Sequence, residues 1–460
     1  MKFVTVLVLL VGSFALSCSG YSVDPSLKLS EKLKINANQE DLVVPELNFE
    51  NEDTDFDDDD EVPDVEELIE RPDDITIEQS EIEQRSGCSF SLMNAGSPQP
   101  LFLNPGTSKI YPFNDVGAME FTPGQNVEVF CPSTFSNPSG KSGSLTATCV
   151  SGTTFKIGGS NYDLGKVLCS SWISAKARKT GARCNGGVIV ETGFSVGSRF
   201  VKQLEICFDE ELEVTRYVFH TLQPGSNYFQ NSVARPDFAT AGFFGGKNVD
   251  KLYKQATQTQ TLNNELGGVA DSYINTKTNV FLARGHMAAK ADFVYGTEQR
   301  GTFLFLNAAP QWQVFNAGNW QRVEDSVRKW VSNNKLYVNC WTGVYGVTTL
   351  PDHKGVQTEI YLDYDRNHNG LIPVPMLYFR VVIESSTKRG VVLIGVNNPH
   401  LTMEQIKKDY ILCNDVSNKI TWINWKKNDI KAGYSYACEV SDFARKNPNL
   451  PRFDVTSLLY

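Results

Sequence analysis

Apolar and polar positions alternate through residues 203–208 and 213–222, the pattern of strands with one buried face. Short runs rich in β-branched and aromatic residues at 126–130, 144–150, 154–157 and 187–191 lie between clusters of Gly, Ser, Pro and Asn, and predict strands too. Further strands are predicted at 279–282, 302–306, 335–339, 343–348, 375–384, 390–396 and 419–423. Helical spacing is clearest over 250–262 and 318–332; in the second, Val323, Val327, Trp330 and Val331 form one apolar stripe. Residues 434–447 read as partly helical. Strand pairs around a buried helix predict an α+β fold with a central antiparallel sheet over residues 196–460. Residues 86–195, short-stranded and loop-rich, predict a small β-rich domain before it.

The start of the chain is different. Met1-Lys2, the apolar run 3–16 and small residues near 17–20 read as a secretory signal peptide over residues 1–20. That run is too short to span a bilayer comfortably. No later run resembles it, so the mature protein is expected to have no membrane segment. Residues 21–85 contain few aromatics and the run Asp57-Asp58-Asp59-Asp60-Glu61. Such a composition buries too little apolar surface to offset the entropy of ordering. An acidic disordered propeptide is expected there, with Arg85 as its processing point. It reads either as a solvating tail or as a polyanion mimic seated in a basic cleft.

Charge changes once this segment is set aside. The whole chain carries −10, yet residues 40–84 hold 21 acidic groups against Arg71 alone, and residues 85–460 carry +8. A basic balance suits a polyphosphate partner, whose binding releases counterions. Cys18 falls with the signal peptide. The nine others, Cys88, Cys131, Cys149, Cys169, Cys184, Cys207, Cys340, Cys413 and Cys438, lack the close pairs of a zinc site. Disulfides fit a secreted chain. The odd count leaves one thiol free or bridging two chains, and the pairing stays open.

The densest polar chemistry lies between apolar runs at residues 281–330. Arg284-Gly285-His286 comes first, then Asn307-x-x-Pro310-Gln311, then Asn316-x-Gly318-x-Trp320-x-x-x-Glu324, with Arg328 four residues on. An imidazole accepts a proton near neutral pH and suits a general base; the plainer reading of His286 is a hydrogen-bonded core histidine. Gly285 would permit a tight turn that presents the ring. The amide oxygen of Asn316 is a hard ligand suited to Mg²⁺, which keeps several of its waters; the plainer reading is a helix N-cap. Glu324 and Arg328 are neighbours on a helix, and the plainer reading is an exposed ion pair of little worth. Residues 86–195 contain no histidine and read as scaffold, with Lys176, Arg178 and Lys179 as an alternative grip on substrate.

These blocks, in this order and at this spacing, resemble the DNA/RNA non-specific endonuclease family, metal-dependent nucleases of the ββα-metal (His-Me finger) type. The surrounding sequence is most similar to the secreted arthropod branch of double-stranded-RNA-degrading nucleases. The likeness covers about residues 200–460. It implies a ββα-metal core with His286 as general base and Asn316 as direct ligand of Mg²⁺ or Mn²⁺. It also implies that Glu324 holds the metal's waters, Arg328 stabilises the pentacovalent phosphate, Arg284 contacts phosphate and Asn307 orients the site. A further arginine upstream of the histidine is implied, for which Arg235 is the candidate. The family signature often has aspartate where this chain has Ala283. That carboxylate is neither base nor metal ligand, so the departure is expected to alter local hydrogen bonding and to spare activity.

The implied activity is cleavage within RNA, double-stranded RNA included, and DNA to 5′-phosphate ends. The implied setting is extracellular, such as a gut lumen. The competing reading is a binding or scavenging protein of the same fold without turnover. The intact set His286, Asn316, Glu324 and Arg328 argues against it.

Overall fold

Eight antiparallel strands form the central sheet. Their spatial order is Ser435–Cys438, Gly390–Val396, Leu377–Glu384, Val338–Tyr345, Val214–Leu222, Arg199–Asp209, Gly187–Val196 and Lys176–Cys184. The computed structural model describes residues 87–460; the expected signal peptide, Cys18 and the whole of the expected propeptide with Arg85 lie outside the described residues. Leu377–Glu384 and Gly390–Val396 are buried on both faces, which is why they read as continuous apolar runs. Alternation sends Val381, Ile383, Val392 and Ile394 toward one layer, closed by Phe443, Ile406 and Tyr410. It sends Tyr378, Val382, Val391 and Leu393 toward the other, where the helix with Val323, Val327 and Val331 packs. The fold is α+β, as predicted, with the sheet covered on both sides.

A second, six-stranded sheet built from Leu101–Leu103, Asn126–Asn137, Ser142–Ser151, Thr154–Ile157, Ser160–Asp163 and Leu168–Cys169 makes up the β-rich N-terminal region. Disulfides Cys88–Cys149 and Cys131–Cys169 tie it together. The expected division at 195/196 falls inside a hairpin, since Gly187–Val196 pairs with Arg199–Asp209 in the central sheet. Cys184–Cys207 crosses that position, Cys413–Cys438 ties the other end of the sheet, and Cys340 is free and buried. Among the described residues no helix is long and apolar enough to cross a membrane.

Several expected elements differ. The helix predicted at 250–262 is two, Val249–Leu252 and Gln255–Leu266, separated at Tyr253 and Lys254. The predicted strand 279–282 starts later, as Leu282–His286, because Asn279 takes a left-handed conformation (φ 55°) that closes a turn. Residues 302–306 are no strand. Phe303, Leu304, Phe305 and Leu306 are buried in a turn held by the Asn307 side chain, and a short apolar run does not distinguish the two cases. The strands predicted at 335–339 and 343–348 are one, Val338–Tyr345. Gly343 lies inside it because an added Cβ would meet Arg216 O at 2.1 Å; close strand packing, not a chain break, requires the glycine. Residues 419–423 form no strand.

Candidate active site

Leu282–His286 pairs antiparallel with Ala308–Trp312, placing His286 opposite Ala308 and Leu282 opposite Trp312. The chain then turns through 313–320 into the helix Gln321–Asn333. This is a ββα unit. Asn319 pins the turn: its Nδ2 donates to Lys426 O (2.9 Å) and Gly433 O (2.7 Å), and its Oδ1 accepts from Lys426 N (2.8 Å). Gly285 sits within the strand and not at a turn. Its role is space, since an added Cβ would lie 2.2 Å from Gln311 Oε1 and 2.7 Å from the Tyr378 hydroxyl.

The His286 ring lies against Phe238 (centroids 5.0 Å) and edge-on to Phe303 (4.8 Å). Its Nε2 is buried and has no hydrogen-bond partner among the described residues. Burial first, then Arg235 and Lys290, draw its pKa down to about 3, with Asp292 opposing. The ring is therefore neutral at physiological pH and able to accept a proton. A core histidine held at Nε2 by a hydrogen bond is excluded. Arg235 is exposed but close enough to act on this ring.

Asn307 is fully buried and clamps the segment that follows the histidine. Its Oδ1 accepts from Ala288 N (2.9 Å), and its Nδ2 donates to Ala288 O (2.9 Å) and Thr302 O (3.0 Å). Its backbone carbonyl accepts from Met287 N (2.9 Å). With every side-chain bond going to backbone, Asn307 fixes the position of the loop.

Asn316 is half-buried and helical (φ −56°, ψ −53°) at the head of the turn, and its side chain caps no backbone N–H. The N-cap reading therefore fails. Its Nδ2 donates to Gln313 Oε1 (3.2 Å), which leaves Oδ1 without a donor among the described residues.

The plainer reading of Glu324 and Arg328, an ion pair between them, is not what forms. Arg328, 4 % exposed, donates from Nη1 to Asp292 Oδ1 (3.0 Å) and from Nη2 to Asp325 Oδ1. Asp292 is shared further: its Oδ2 lies 2.6 Å from Arg380 Nη2 and 2.8 Å from His220 Nε2. Burial resists ionisation of Asp292, but Arg380, His220 and Arg328 outweigh it and hold the carboxyl far below the usual range. Glu324 takes part in no hydrogen bond or ion pair among the described residues. Burial and the nearby Asp292 lift its pKa to about 8, against Arg380 and Arg328. Arg284 is engaged by the Asp250 carboxylate and lies over the Tyr253 ring (5.3 Å), so the arginine read as a phosphate contact is paired within the protein.

Arg328 is bonded to Asp292, whose charge also acts on His286 and Glu324, while Asn316 heads the turn that leads into the helix of Glu324 and Arg328. Sequence reasoning missed Asp292, Arg380 and His220. One signal was present: Arg380 stands in the middle of Leu-Tyr-Phe-Arg-Val-Val-Ile, where a lone cation must face the interior.

The DNA/RNA non-specific endonuclease family matches residues 185–443. The chain belongs to this family. A salivary endonuclease of Lutzomyia longipalpis is 29% identical over 367 residues, 78% of this chain and 82% of the relative. A salivary endonuclease of Culex quinquefasciatus is 24% identical, covering 62% and 76%. Salivary protein Tsal1 of Glossina morsitans morsitans is 22% identical, covering 63% and 72%. The protein is a nuclease of the non-specific endonuclease family, whose members generally depend on a divalent metal. The residues present fit that dependence in a particular way. Among the described residues no three His, Cys, Asp or Glu gather into a metal site. An ion here would have the Asn316 Oδ1, left without a donor among the described residues, as its protein ligand and would keep most of its water. That is the habit of Mg²⁺ rather than of a zinc cage.

Proposed function

We propose that the protein is a secreted, Mg²⁺-dependent endonuclease that hydrolyses phosphodiester bonds in RNA, including duplex RNA, and in DNA. The observation that carries this reading is the pairing of a neutral, unpartnered His286 with an Asn316 amide whose nitrogen is tied off, both on one ββα unit. The His286 imidazole takes the proton of the attacking water, and the phenylalanines around the ring keep it unprotonated until then. The chemistry a bound Mg²⁺ supplies is charge neutralisation at the phosphate and a proton source for the leaving oxygen. Asn316 Oδ1 would hold the ion and Glu324 its waters. Arg328 faces the charge that builds on phosphorus, Asn307 keeps the histidine segment in place, and Arg235 and Arg284 bind flanking phosphates. Arg284 does so by exchanging the Asp250 carboxylate for phosphate. Water attack that expels the 3′ oxygen leaves 5′-phosphate ends.

Contacts of this kind read backbone, not bases, so little sequence preference is expected. The net +8 of residues 85–460 supports a polyanionic substrate. The apolar start, four disulfides and salivary relatives support secretion. The test is cleavage of plasmid, single-stranded RNA and duplex RNA by the purified protein, with and without EDTA. Shortened products in Mg²⁺ that vanish with EDTA are expected; intact substrates in Mg²⁺ would overturn the reading.

A further inference from the structure

We propose that Asp292 is the positioning residue for Arg328, setting that guanidinium for the phosphate, and that Arg380 and His220 exist to hold Asp292. This rests on the nuclease reading above. Asp292 is enclosed, and each of its oxygens has a distinct task. Oδ2 is bonded by Arg380 Nη2 and His220 Nε2, neither of which has more than 1 % side-chain exposure. Both come from the inner face of the central sheet. The register sets His220 beside Cys340 and Thr342 beside Arg380, so the two side chains rise from adjoining positions on one rigid surface. Oδ1 is left for Arg328 Nη1, on the same helix as Glu324. Asp325 takes the other end, Nη2. A guanidinium carries five N–H groups in a fixed fork. Gripped at both ends, it still has N–H groups to offer and little freedom to turn.

The charges support this reading. Two guanidiniums, Arg328 and Arg380, are balanced by two carboxylates, the buried Asp292 and the more exposed Asp325, beside the His220 imidazole, whose pKa burial lowers. Arg380 Nε and Nη1 are buried without hydrogen-bond partners among the described residues. Such a cluster is poor as a stabilising device, because apolar side chains fill the same volume without the cost of desolvation. It is well suited to keeping the Arg328 guanidinium fixed where an anion will form. Asp292 also lies six residues after His286, on the loop that Asn307 clamps. One loop therefore positions both the base and the arginine.

The experiment is a double-mutant cycle on the full-length secreted protein. Steady-state cleavage of a defined duplex oligonucleotide in Mg²⁺ is measured for wild type, Asp292→Asn, Arg328→Ala and the double variant. Asp292→Asn is expected to lower kcat by about 100-fold with KM within about threefold. The double variant should be no slower than Arg328→Ala alone, since residues acting as a unit are not additive. Free guanidinium should restore part of the Arg328→Ala rate only when Asp292 is present. Asp292→Asn strands the buried Arg380, so if it does not fold by near-UV circular dichroism, the cycle is run with Asp292→Asn/Arg380→Met. Multiplicative losses, or equal rescue with and without Asp292, in an active wild-type background would overturn the role of Asp292. A wild type that cuts nothing would overturn the nuclease reading beneath it.

Discussion

The N-terminal β-rich region and the ββα unit solve the problem of a stable interior in opposite ways. The first packs Phe90, Phe102, Phe121 and Phe155 around two disulfides, Cys88–Cys149 and Cys131–Cys169. The second encloses Asp292, Arg328, Arg380, His220 and Asn307 between helix and sheet. Apolar side chains hold a core at least as well as a buried charge network does, and the first region is proof that this chain can build such a core. On the proposal made above, the charges in the second serve to position Arg328. The two regions also meet. Val294 and Tyr295, just after Asp292, are packed into the N-terminal core, and Thr297 Oγ1 donates to Gln99 O (2.8 Å). The chemically plain region is the backing of the loop that carries the chemistry.

If chemistry resides only in the ββα unit, the largest effect on turnover comes from the base. His286→Ala is expected to lower kcat by about 10²–10⁴-fold, the usual worth of a general base, while nucleic-acid binding persists. Cleavage rates and filter binding in Ca²⁺ check this; wild-type turnover in the variant would remove the imidazole from the mechanism. The contrasting change is in the other region. Replacing Cys131 and Cys169 together with Ser is expected to cost about 2–4 kcal/mol in unfolding free energy. Activity per folded molecule at 25 °C should stay within about threefold of wild type, because the variant's lost covalent link lies outside the ββα unit. A kcat loss as large as that of His286→Ala would erase the division between the regions.

Titration sharpens the same contrast. Glu324, lifted to about 8, keeps its proton in the metal-free fold at pH values where the unfolded chain has released it. Stability contributed by that proton is present below pH 4.5 and lost as pH rises toward 8. Glu298, raised to about 8 by burial, has the same sign. His286 is opposite: with a folded value near 3, it weakens the fold as pH falls from 6.5 toward 3. A divalent cation competes with the Glu324 proton, so Mg²⁺ affinity should rise by up to about tenfold per pH unit from 6 to 8. Glu324→Gln should flatten that slope and remove part of the stability loss between pH 4.5 and 8. Titration calorimetry and thermal melts across this range test both; a wild-type affinity independent of pH would refute the assignment of Glu324.

How much was legible in sequence follows from where each group's partners lie. His286, Asn316, Glu324 and Arg328 could be singled out because the motif is local, all within one strand–strand–helix passage. The central sheet was found because alternation is a local signal. Asp292, Arg380 and His220 were not, because a buried ion cluster is defined by pairing between strands distant in sequence. Glu324 and Arg328 are four apart and invited the i, i+4 pair, yet the guanidinium found a better-enclosed carboxylate in Asp292. The same limit explains residues 302–306: their apolar run is genuine, but its turn is imposed by Asn307 bonding back to Ala288 and Thr302.

The smallest effect tests the seam between the two regions. The Tyr295 hydroxyl, on the loop after Asp292, donates to Tyr111 O in the N-terminal region, and the ring lies 6.1 Å from Phe102. Tyr295→Phe keeps the ring and removes one bond, leaving a buried carbonyl short of a donor. A loss of about 1 kcal/mol in stability is expected. If the N-terminal region only adds stability, kcat will not change. If it backs the active-site loop, kcat should fall by about two- to fivefold with KM unchanged, since small displacements of positioned groups are felt in turnover first. Unchanged kcat alongside the predicted loss of stability would separate the two regions functionally, and would leave the positioning of Asp292 to the sheet and helix alone.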